Sequence, residues 1–428
     1  MARKNSFFFI ETLGCPKNLV DSEVISSNLI DIGFKPTLDP EIADIIIINT
    51  CGFINSAKEE SIDVILDYAN IHGIKSKKLI VTGCLVERYK KELNTALPEV
   101  NHFFDLHDIN QITKILHSEE PYKDKRYLLT PHHYAYLRIS DGCENYCTYC
   151  TIPSIRGKIR SKSIQDVVDE AKQLYDLGVK EIIVIAQDIG NYGLDLYGKS
   201  RLLELLKRLD DEIDVPWIRL LYLNPQHVSE ELLYLVKTSK RICNYLDIPV
   251  QHISDSILTN MNRKVTRAEI FDKLNMVREI LPNAAIRTSL IIGFPGETDE
   301  DFLELLAFVD KQKFERLGAF TYSQEEGTKA AHFINQIPEK IKKQRYEKLM
   351  KLQRNISSDI QNNYIGKEMK VIVDKKIKPK VYECRSEFDA PDIDGIVFLE
   401  GSKEEVGSFI NVEIEDSLEY DLIAHRKE

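Results

Sequence analysis

Three cysteines stand close together in the stretch DGCENYCTYC, at the spacing C-x3-C-x2-C. They are Cys143, Cys147 and Cys150. Clustered thiols in a chain with few cysteines favour metal binding over disulfide bonding. A structural zinc site takes four protein ligands, usually from two closely spaced pairs. The histidine pair just before this stretch does not supply that spacing, so zinc is the weaker interpretation.

A four-iron cluster explains why only three ligands are present. Iron–sulfur clusters are held by cysteine thiolates, and their potentials depend on charge and solvent access. If three thiolates hold such a cluster, one iron has no protein ligand and stays open to a small molecule. The trio therefore predicts a cluster that binds a reactant, rather than a closed structural metal site.

A second trio of cysteines lies in the first hundred residues. Cys15, Cys51 and Cys84 each follow a predicted strand, and they lie 36 and 33 residues apart along the chain. That separation is about one βα unit, and the carboxyl ends of parallel strands meet at one edge of a sheet. We therefore expect three thiols at one edge, which favours a metal centre. The simpler alternative is that each is a small buried hydrophobic residue, and we assign Cys243 and Cys384 to that class.

The elements that must position these thiols change in character along the chain. An amino-terminal parallel βα domain is predicted first, from FFFIET, ADIIIINT and KKLIVTG with a helical stretch after each. A polar linker follows at 117–133. Six longer units then predict a central α/β, partial TIM-type barrel with its active site at the carboxyl ends of the strands. Their strands are YAYLRI, KEIIVIAQD, WIRLLYL, NYLDIPV, AIRTSLIIGF and RLGAFTY.

The last part of the chain begins with a long helix predicted over 338–366, ending near Gly366. The apolar period then changes to two, which predicts a small antiparallel β-barrel. We place the domain boundaries at 5–120, 130–365 and 366–428. The predicted strands of the barrel are MKVIVDKKI, GIVFLEG, FINVEIED and EYDLIAHR.

Composition limits the class of protein. The 428 residues are 43% apolar and 29% charged, which is typical of a soluble globular chain of two to four domains. No apolar run approaches the ~20 residues that span a bilayer, and the start lacks a secretory apolar region. We expect a cytoplasmic protein. The formal net charge of −11 disfavours broad contact with nucleic-acid phosphates and favours a basic partner.

The cysteine spacing, with an aromatic residue before the last cysteine, resembles the signature of radical S-adenosylmethionine (SAM) enzymes. An upstream cysteine trio and a downstream small barrel make the whole chain similar to the methylthiotransferases of that superfamily, whose last domain is called TRAM. The branch that modifies an aspartate of ribosomal protein uS12 (S-twelve) is favoured over the tRNA branch. The stretches that carry this are ETLGCPKNLVDSE, NTCGFINSAKEES, VTGCL, CTIPSIRGKIRSKS and EFDAPDIDG.

The resemblance implies two 4Fe–4S clusters, each with an open iron. Cys143, Cys147 and Cys150 would hold the cluster that binds SAM and generates the 5′-deoxyadenosyl radical. The other trio would hold an auxiliary cluster that receives a methyl group on sulfur from a second SAM. The radical would take hydrogen from the aspartate β-carbon, which then accepts the methylthio group. The alternatives are a tRNA adenosine methylthiotransferase and a non-catalytic Fe–S protein docked on ribosomes. The electron donor and the sulfur donor are not identified by the sequence.

A few further residues are candidates for cofactor binding. Tyr149 is predicted near the adenine of SAM, and Gln187 and Gly293 lie at predicted strand tips in the barrel. Arg156 and Arg160 follow the cysteines and are candidates to meet a carboxylate of the cofactor or the target, or else to be solvated charges. The histidine in VQHIS is expected to be structural.

Overall fold

The computed structural model describes residues 6–71, 77–116 and 126–427. The predicted linker at 117–133 lies partly outside these residues, as do the predicted boundaries at 5 and 120. The described chain forms two compact units. The amino-terminal unit contains the residues up to Leu129, together with Asp141–Glu144 and Cys150–Lys158. The carboxy-terminal unit contains Thr130–Ser140, Asn145–Tyr149 and everything from Ile159 onward.

The amino-terminal unit is a five-stranded parallel sheet in the order β2-β1-β3-β4-β5. Its central strand, IIIINT, is buried along its whole length, as expected for a strand whose two faces are both covered. The elements of this unit are β1 (Phe7–Thr12), α1 (Pro16–Asp31), β2 (Lys35–Pro36), β3 (Ile45–Thr50), α2 (Asn55–Ala69), β4 (Lys78–Gly83), α3 (Cys84–Ala96), β5 (His102–Phe104), α4 (Ile109–Leu116) and α5 (Ile152–Ile155).

The three strands predicted here are confirmed as β1, β3 and β4. The prediction missed β2 and β5, which have only two and three residues and lie at the two edges of the sheet. Such short edge strands carry no apolar period that a sequence pattern can detect. Proline at the first helical position fits the start of α1, because its missing N–H would have no helical partner there.

The carboxy-terminal unit contains a six-stranded parallel sheet in the order β13-β12-β11-β10-β9-β6. All six predicted barrel strands are confirmed in it. Helices α11 and α12 begin with capping boxes at Thr266 and Thr298. The elements are β6 (Tyr134–Arg138), β7 (Ser140–Asp141), β8 (Arg160–Ser161), α6 (Ile164–Asp176), β9 (Glu181–Ile185), α7 (Leu194–Tyr197), α8 (Leu202–Glu212), β10 (Trp217–Leu220), α9 (Glu230–Thr238), β11 (Ile242–Asp247), α10 (Asp255–Asn260), α11 (Arg267–Ile280), β12 (Ala285–Ile292), α12 (Asp299–Gln312) and β13 (Arg316–Thr321).

The predicted long helix is α13 (Glu339–Asn362), which ends before Gly366. It leads into a closed five-stranded barrel in the order β14-β15-β16-β18-β17, in which β16 and β18 pair in parallel and the other neighbours are antiparallel. The prediction missed β15, where Arg385 points a charged side chain into buried surroundings. The barrel strands are β14 (Glu368–Lys378), β15 (Val381–Ser386), β16 (Val397–Glu400), β17 (Phe409–Ser417) and β18 (Leu422–Arg426).

None of the helices in the described ranges combines the length and the apolar character that crossing a membrane demands.

Candidate functional site

The amino-terminal sheet carries three thiols at the carboxyl ends of three neighbouring strands. Cys15 lies between β1 and α1, Cys51 directly follows β3, and Cys84 is the first residue of α3 after β4. The strand order places β1, β3 and β4 side by side. The three thiols therefore lie at the sheet edge that their spacing predicts, while their role as metal ligands stays a prediction.

Two glycines allow the segments around these thiols to approach one another closely. A Cβ added to Gly14 would lie 2.8 Å from Cβ and 2.9 Å from Sγ of Cys51. A Cβ added to Gly52 would lie 2.7 Å from the Leu85 backbone and 3.0 Å from the carbonyl carbon of Cys84. A glycine next to a cysteine thus lets one strand end pack on the next, which is the use of glycine where backbone must approach closely.

Two of these thiols, Cys51 and Cys84, have a raised pKa. Burial raises the pKa of Cys51, and the negative charge of Cys15 raises it further. Burial also raises the pKa of Cys84 to about 12, although the Arg156 guanidinium partly offsets the increase. Three soft sulfur donors at one sheet edge suit a metal centre, because thiolates are the ligands of iron–sulfur clusters and bound iron replaces the thiol protons. The donor set therefore fits an iron–sulfur cluster.

Buried polar side chains hold the three strand ends in place. The Asn18 side chain donates to the carbonyl groups of Leu13 and Thr50 at 2.9 and 3.0 Å, and its Oδ1 accepts from Sγ of Cys84 at 3.5 Å. The Ser61 hydroxyl accepts from the Cys51 N–H and donates to the Cys51 carbonyl. No sequence pattern singled out Asn18 or Ser61, although both fall inside the family-like stretches around Cys15 and Cys51.

The loop at residues 141–150, hereafter the cysteine loop, carries the other three thiols. In the amino-terminal unit, the Cys143 N–H donates to the Gly157 carbonyl at 3.1 Å, and Sγ of Cys150 accepts from the Ile152 N–H at 3.4 Å. The helix that follows, α5, packs through Ile155 on Cys84. The chain after the cysteine loop is thus anchored to the segment that carries Cys84.

Cys147 belongs to the carboxy-terminal unit and contacts a different set of residues. Nη1 of Arg263 lies 3.9 Å from its sulfur, while Nη2 donates to the Pro249 carbonyl at 2.7 Å. Burial acts to lower the pKa of Arg263, but its interactions with Tyr149 and Cys147 raise that pKa above its ordinary value. A polar recess opens beside Cys147. It is lined by Asn145, Cys147, Asn224, Gln226, Asn262, Arg263 and Lys264.

In the ranges that the structure describes, no three His, Cys, Asp or Glu side chains stand at the spacing of a single bound metal ion. A four-iron cluster demands a different arrangement, because each thiolate binds its own iron. The geometry therefore gives no cage for one ion at either trio. It brings Cys15, Cys51 and Cys84 to one edge and leaves all three thiols of the cysteine loop partly accessible.

The other candidate residues have structural contacts of their own. The Tyr149 ring packs edge-on against Phe294, with 6.3 Å between ring centroids. Gln187 lies just beyond β9 and is half-buried. Gly293 directly follows β12, and a Cβ there would lie 2.4 Å from Cγ of Lys342, so close packing explains this glycine. Binding of SAM by Tyr149, Gln187 and Gly293 stays a prediction.

Two polar residues considered in the sequence, His252 and Arg156, are both buried in the structure. His252 is fully buried and accepts from the Ser254 N–H, as expected for a structural histidine. Arg156 is not a solvated charge, since it is only 2% exposed and pairs with Asp21 and Asp141. It meets carboxylates of this chain, which the sequence did not reveal because Asp21 lies 135 residues away.

Three family models match the sequence in the order of its folded parts. They are the uncharacterized protein family UPF0004 over residues 7–105, the radical SAM superfamily over 137–309 and the TRAM domain over 365–426.

Relatives match over nearly the full length. Ribosomal protein uS12 methylthiotransferase RimO of Clostridioides difficile (strain 630) is 46% identical over 431 residues, covering 97% of both chains. The chain belongs to the RimO family. The protein of the same name from Clostridium tetani (strain Massachusetts / E88) is 44% identical over 430 residues, covering 97% of this chain and 96% of that one. The central part of this RimO-family chain, residues 137–309, matches the radical SAM superfamily.

Solved structures share the fold at low sequence identity. The radical SAM methyltransferase TsrM from Kitasatospora setae, with cobalamin and a 4Fe–4S cluster bound, has a TM-score of 0.54 and 13% identity, covering 74% of this chain and 72% of its own. The cobalamin-dependent SAM radical enzyme OxsB has a TM-score of 0.52 and 12% identity, covering 82% of this chain and 56% of its own. These likenesses support the architecture of the RimO-family chain alone.

Proposed function

We propose that this RimO-family chain adds a methylthio group to the β-carbon of an aspartate in ribosomal protein uS12 and consumes two SAM molecules in each reaction. The observation that carries the proposal is the arrangement of three thiols, two of them buried, at three neighbouring strand ends. The relatives of the chain are named ribosomal protein uS12 methylthiotransferases. A second cysteine trio separate from the cysteine loop is what a sulfur-inserting enzyme needs beyond a radical source.

The cysteine loop has the role of holding the SAM-binding cluster. Cys143, Cys147 and Cys150 would each bind one iron and leave the fourth open. When bound, the cluster and SAM supply a 5′-deoxyadenosyl radical, which can remove hydrogen from a carbon that acid–base groups cannot activate. The chain contributes binding and orientation: the backbone of Gly157 fixes Cys143, and Arg263 holds a positive charge against the Cys147 sulfur.

The amino-terminal thiols have the role of holding the auxiliary cluster, where sulfur receives its methyl group. Cys51 and Cys84 are 9% and 5% exposed, so the sheet edge excludes water from two of the three ligands. Asn18 and Ser61 fix the backbone around them. These contacts keep the ligands in one geometry while the centre exchanges its reactants.

The substrate side of the proposal rests on charge as well as on the relatives. The segment 366–428 contains ten Lys and Arg against sixteen Asp and Glu, a balance of −6. An acidic barrel attracts a basic ribosomal protein and repels nucleic-acid phosphates. We therefore propose uS12 as the partner, the cytoplasm as the site of action, and 5–120, 130–365 and 366–428 as the methylthiotransferase, radical and TRAM domains.

Anaerobic reconstitution of cysteine variants tests the two roles separately. With dithionite and SAM, Cys147→Ala should give no 5′-deoxyadenosine. Cys51→Ala should still give 5′-deoxyadenosine but should leave uS12 without the methylthio group. Cys243→Ala is the matched control, because Cys243 is 2% exposed and belongs to neither trio. Methylthio transfer by Cys51→Ala would refute the role given to the amino-terminal thiols.

Mass spectrometry of a deletion strain tests the substrate. We expect uS12 to lose the mass of one methylthio group and to regain it when the gene is restored. Unchanged uS12 together with loss of methylthio-adenosine from tRNA would favour the tRNA branch. Loss of neither modification, with no 5′-deoxyadenosine from the purified protein, would favour a non-catalytic Fe–S protein.

A further inference from the structure

The guanidinium of Arg156 lies beside the Cys84 thiol and donates hydrogen bonds to several side chains. Its Nη2 donates to Oδ1 of Asn18 at 2.7 Å and to Oδ2 of Asp21 at 2.9 Å. The same nitrogen lies 3.9 Å from Sγ of Cys84, within hydrogen-bonding reach of a sulfur acceptor. Nη1 contacts the carboxylate of Asp141 at 3.1 and 3.3 Å.

These partners come from distant parts of the chain but lie in one compact unit. Asn18 and Asp21 lie on α1, Cys84 begins α3, and Asp141 precedes the first thiol of the cysteine loop. Arg156 itself ends the short helix that follows the last of those thiols. One side chain therefore ties the segments that lead into and out of the cysteine loop to the segment that carries Cys84.

Because Arg156, Asp21 and Cys84 are buried, their charge interactions are strong. Arg156 is 2% exposed, Asp21 is 4% exposed and Cys84 is 5% exposed. Charge interactions are screened far less in such surroundings than at a surface. A guanidinium that keeps its charge there has two effects on a thiolate at Cys84. It donates an N–H to the sulfur, and it offsets the two nearby carboxylates.

We propose that Arg156 is a positioning residue for the auxiliary centre: its N–H donates to the Cys84 thiolate, and its charge raises the reduction potential of the cluster that Cys84 helps to hold. The inference rests on the proposed function, because it requires Cys84 to be a ligand. Hydrogen bonds to ligand sulfurs and local net charge are two of the factors that set cluster potentials. Both act in the same direction here, since each stabilises the more negative, reduced state.

The test uses the full chain with Cys143, Cys147 and Cys150 changed to alanine, so that only the auxiliary cluster can form. The potential is measured by anaerobic redox titration followed by electron paramagnetic resonance. Arg156→Gln should lower it: at a fixed applied potential, the ratio of reduced to oxidised cluster should fall about tenfold, equivalent to about 59 mV for one electron. Arg156→Lys should give a smaller decrease, because it keeps the charge but loses the planar fork.

Two further variants set the sign and the specificity of the effect. Asp141→Asn removes one of the opposing carboxylates and should raise the potential. Arg263→Gln is the matched control: it removes another arginine, one whose sulfur partner, Cys147, is absent from this background. It should leave the potential unchanged. If the Arg156→Gln variant fails to bind the cluster, the other two variants test the proposal: the reduction potential should fall in Arg156→Lys and rise in Asp141→Asn.

The measurements distinguish failure of the role proposed for Arg156 from failure of the proposed function. A background protein that binds iron and sulfide, but whose potential does not respond to Arg156→Gln, Arg156→Lys or Asp141→Asn, would overturn the inference and leave the proposed function standing. An equal decrease in the Arg263→Gln variant would also overturn it, because the effect would then be general. A background protein that binds no cluster would refute the ligand role of the amino-terminal thiols, and the inference with it.

Discussion

Replacing Gly14 by alanine should push the Cys51 thiol out of position. The added Cβ would lie 2.8 Å from Cβ and 2.9 Å from Sγ of Cys51, closer than such atoms can pack. Gly14 also has φ of +91°, a left-handed conformation that alanine adopts at a cost of roughly 1–2 kcal/mol. The substitution therefore combines a backbone effect with a steric effect on a proposed ligand.

Gly33 separates those two effects. It has φ of +99°, and a Cβ there would meet nothing within 4 Å. Gly33→Ala should therefore show the backbone cost alone, whereas Gly14→Ala should add roughly 1–3 kcal/mol of overpacking at Cys51. If that extra strain must be relieved before the cluster can form, cluster affinity should fall about 5- to 150-fold in Gly14→Ala relative to Gly33→Ala.

Two measurements on each variant check the prediction. Urea unfolding of the metal-free protein should show both variants to be destabilised, and Gly14→Ala the more so. Iron and sulfide per chain, measured with the cysteine loop disabled by alanines, should fall in Gly14→Ala and be retained in Gly33→Ala. Equal iron retention and equal unfolding midpoints in the two variants would refute the reasoning, because the contact with Cys51 would then have no energetic weight.

Two further predictions concern the carboxy-terminal unit. Hydrogen bonds from His133 and Arg385, at 2.7 and 2.6 Å, outweigh burial and hold the pKa of Asp374 below its ordinary value of 3.8. Asp374→Asn should therefore lower the free energy of unfolding by ~1.5–3 kcal/mol at neutral pH. The difference in stability between the variant and the natural chain should shrink as pH falls below 3.8, because the Asp374 carboxylate becomes protonated. A difference in urea midpoint that stays constant from pH 7 to pH 3 would contradict this. Tyr149→Ala should weaken SAM binding by ~0.5–1.5 kcal/mol beyond lost contact area if the ring packs on the adenine, while Tyr149→Phe should bind as the natural chain does. Calorimetry that shows unchanged SAM affinity in Tyr149→Ala would refute the contact with the adenine.

Patterns in the sequence were enough to establish the repeating architecture and the positions of the thiols. Apolar runs followed by helical stretches identified β1, β3 and β4 and all six strands of the central sheet, because burial of a parallel strand leaves a continuous apolar run. The spacing of Cys15, Cys51 and Cys84 then followed from the size of a βα unit. Elements without that pattern were missed: β2 and β5 are too short, and in β15 a charged residue interrupts the alternation.

The charges and glycines that serve the thiols became apparent only in the folded chain. In the sequence, Arg156 is one of several basic residues after the cysteine loop. The neighbouring residues carry no pattern that distinguishes Arg156 from Arg160. Its environment comes from Asp21, 135 residues away, and Asp141, 15 residues away. Likewise Arg385 is buried because it pairs with Glu181, 204 residues away. A periodic pattern records which face of an element is buried, but the identity of the partner across that face depends on chain segments that meet only after folding.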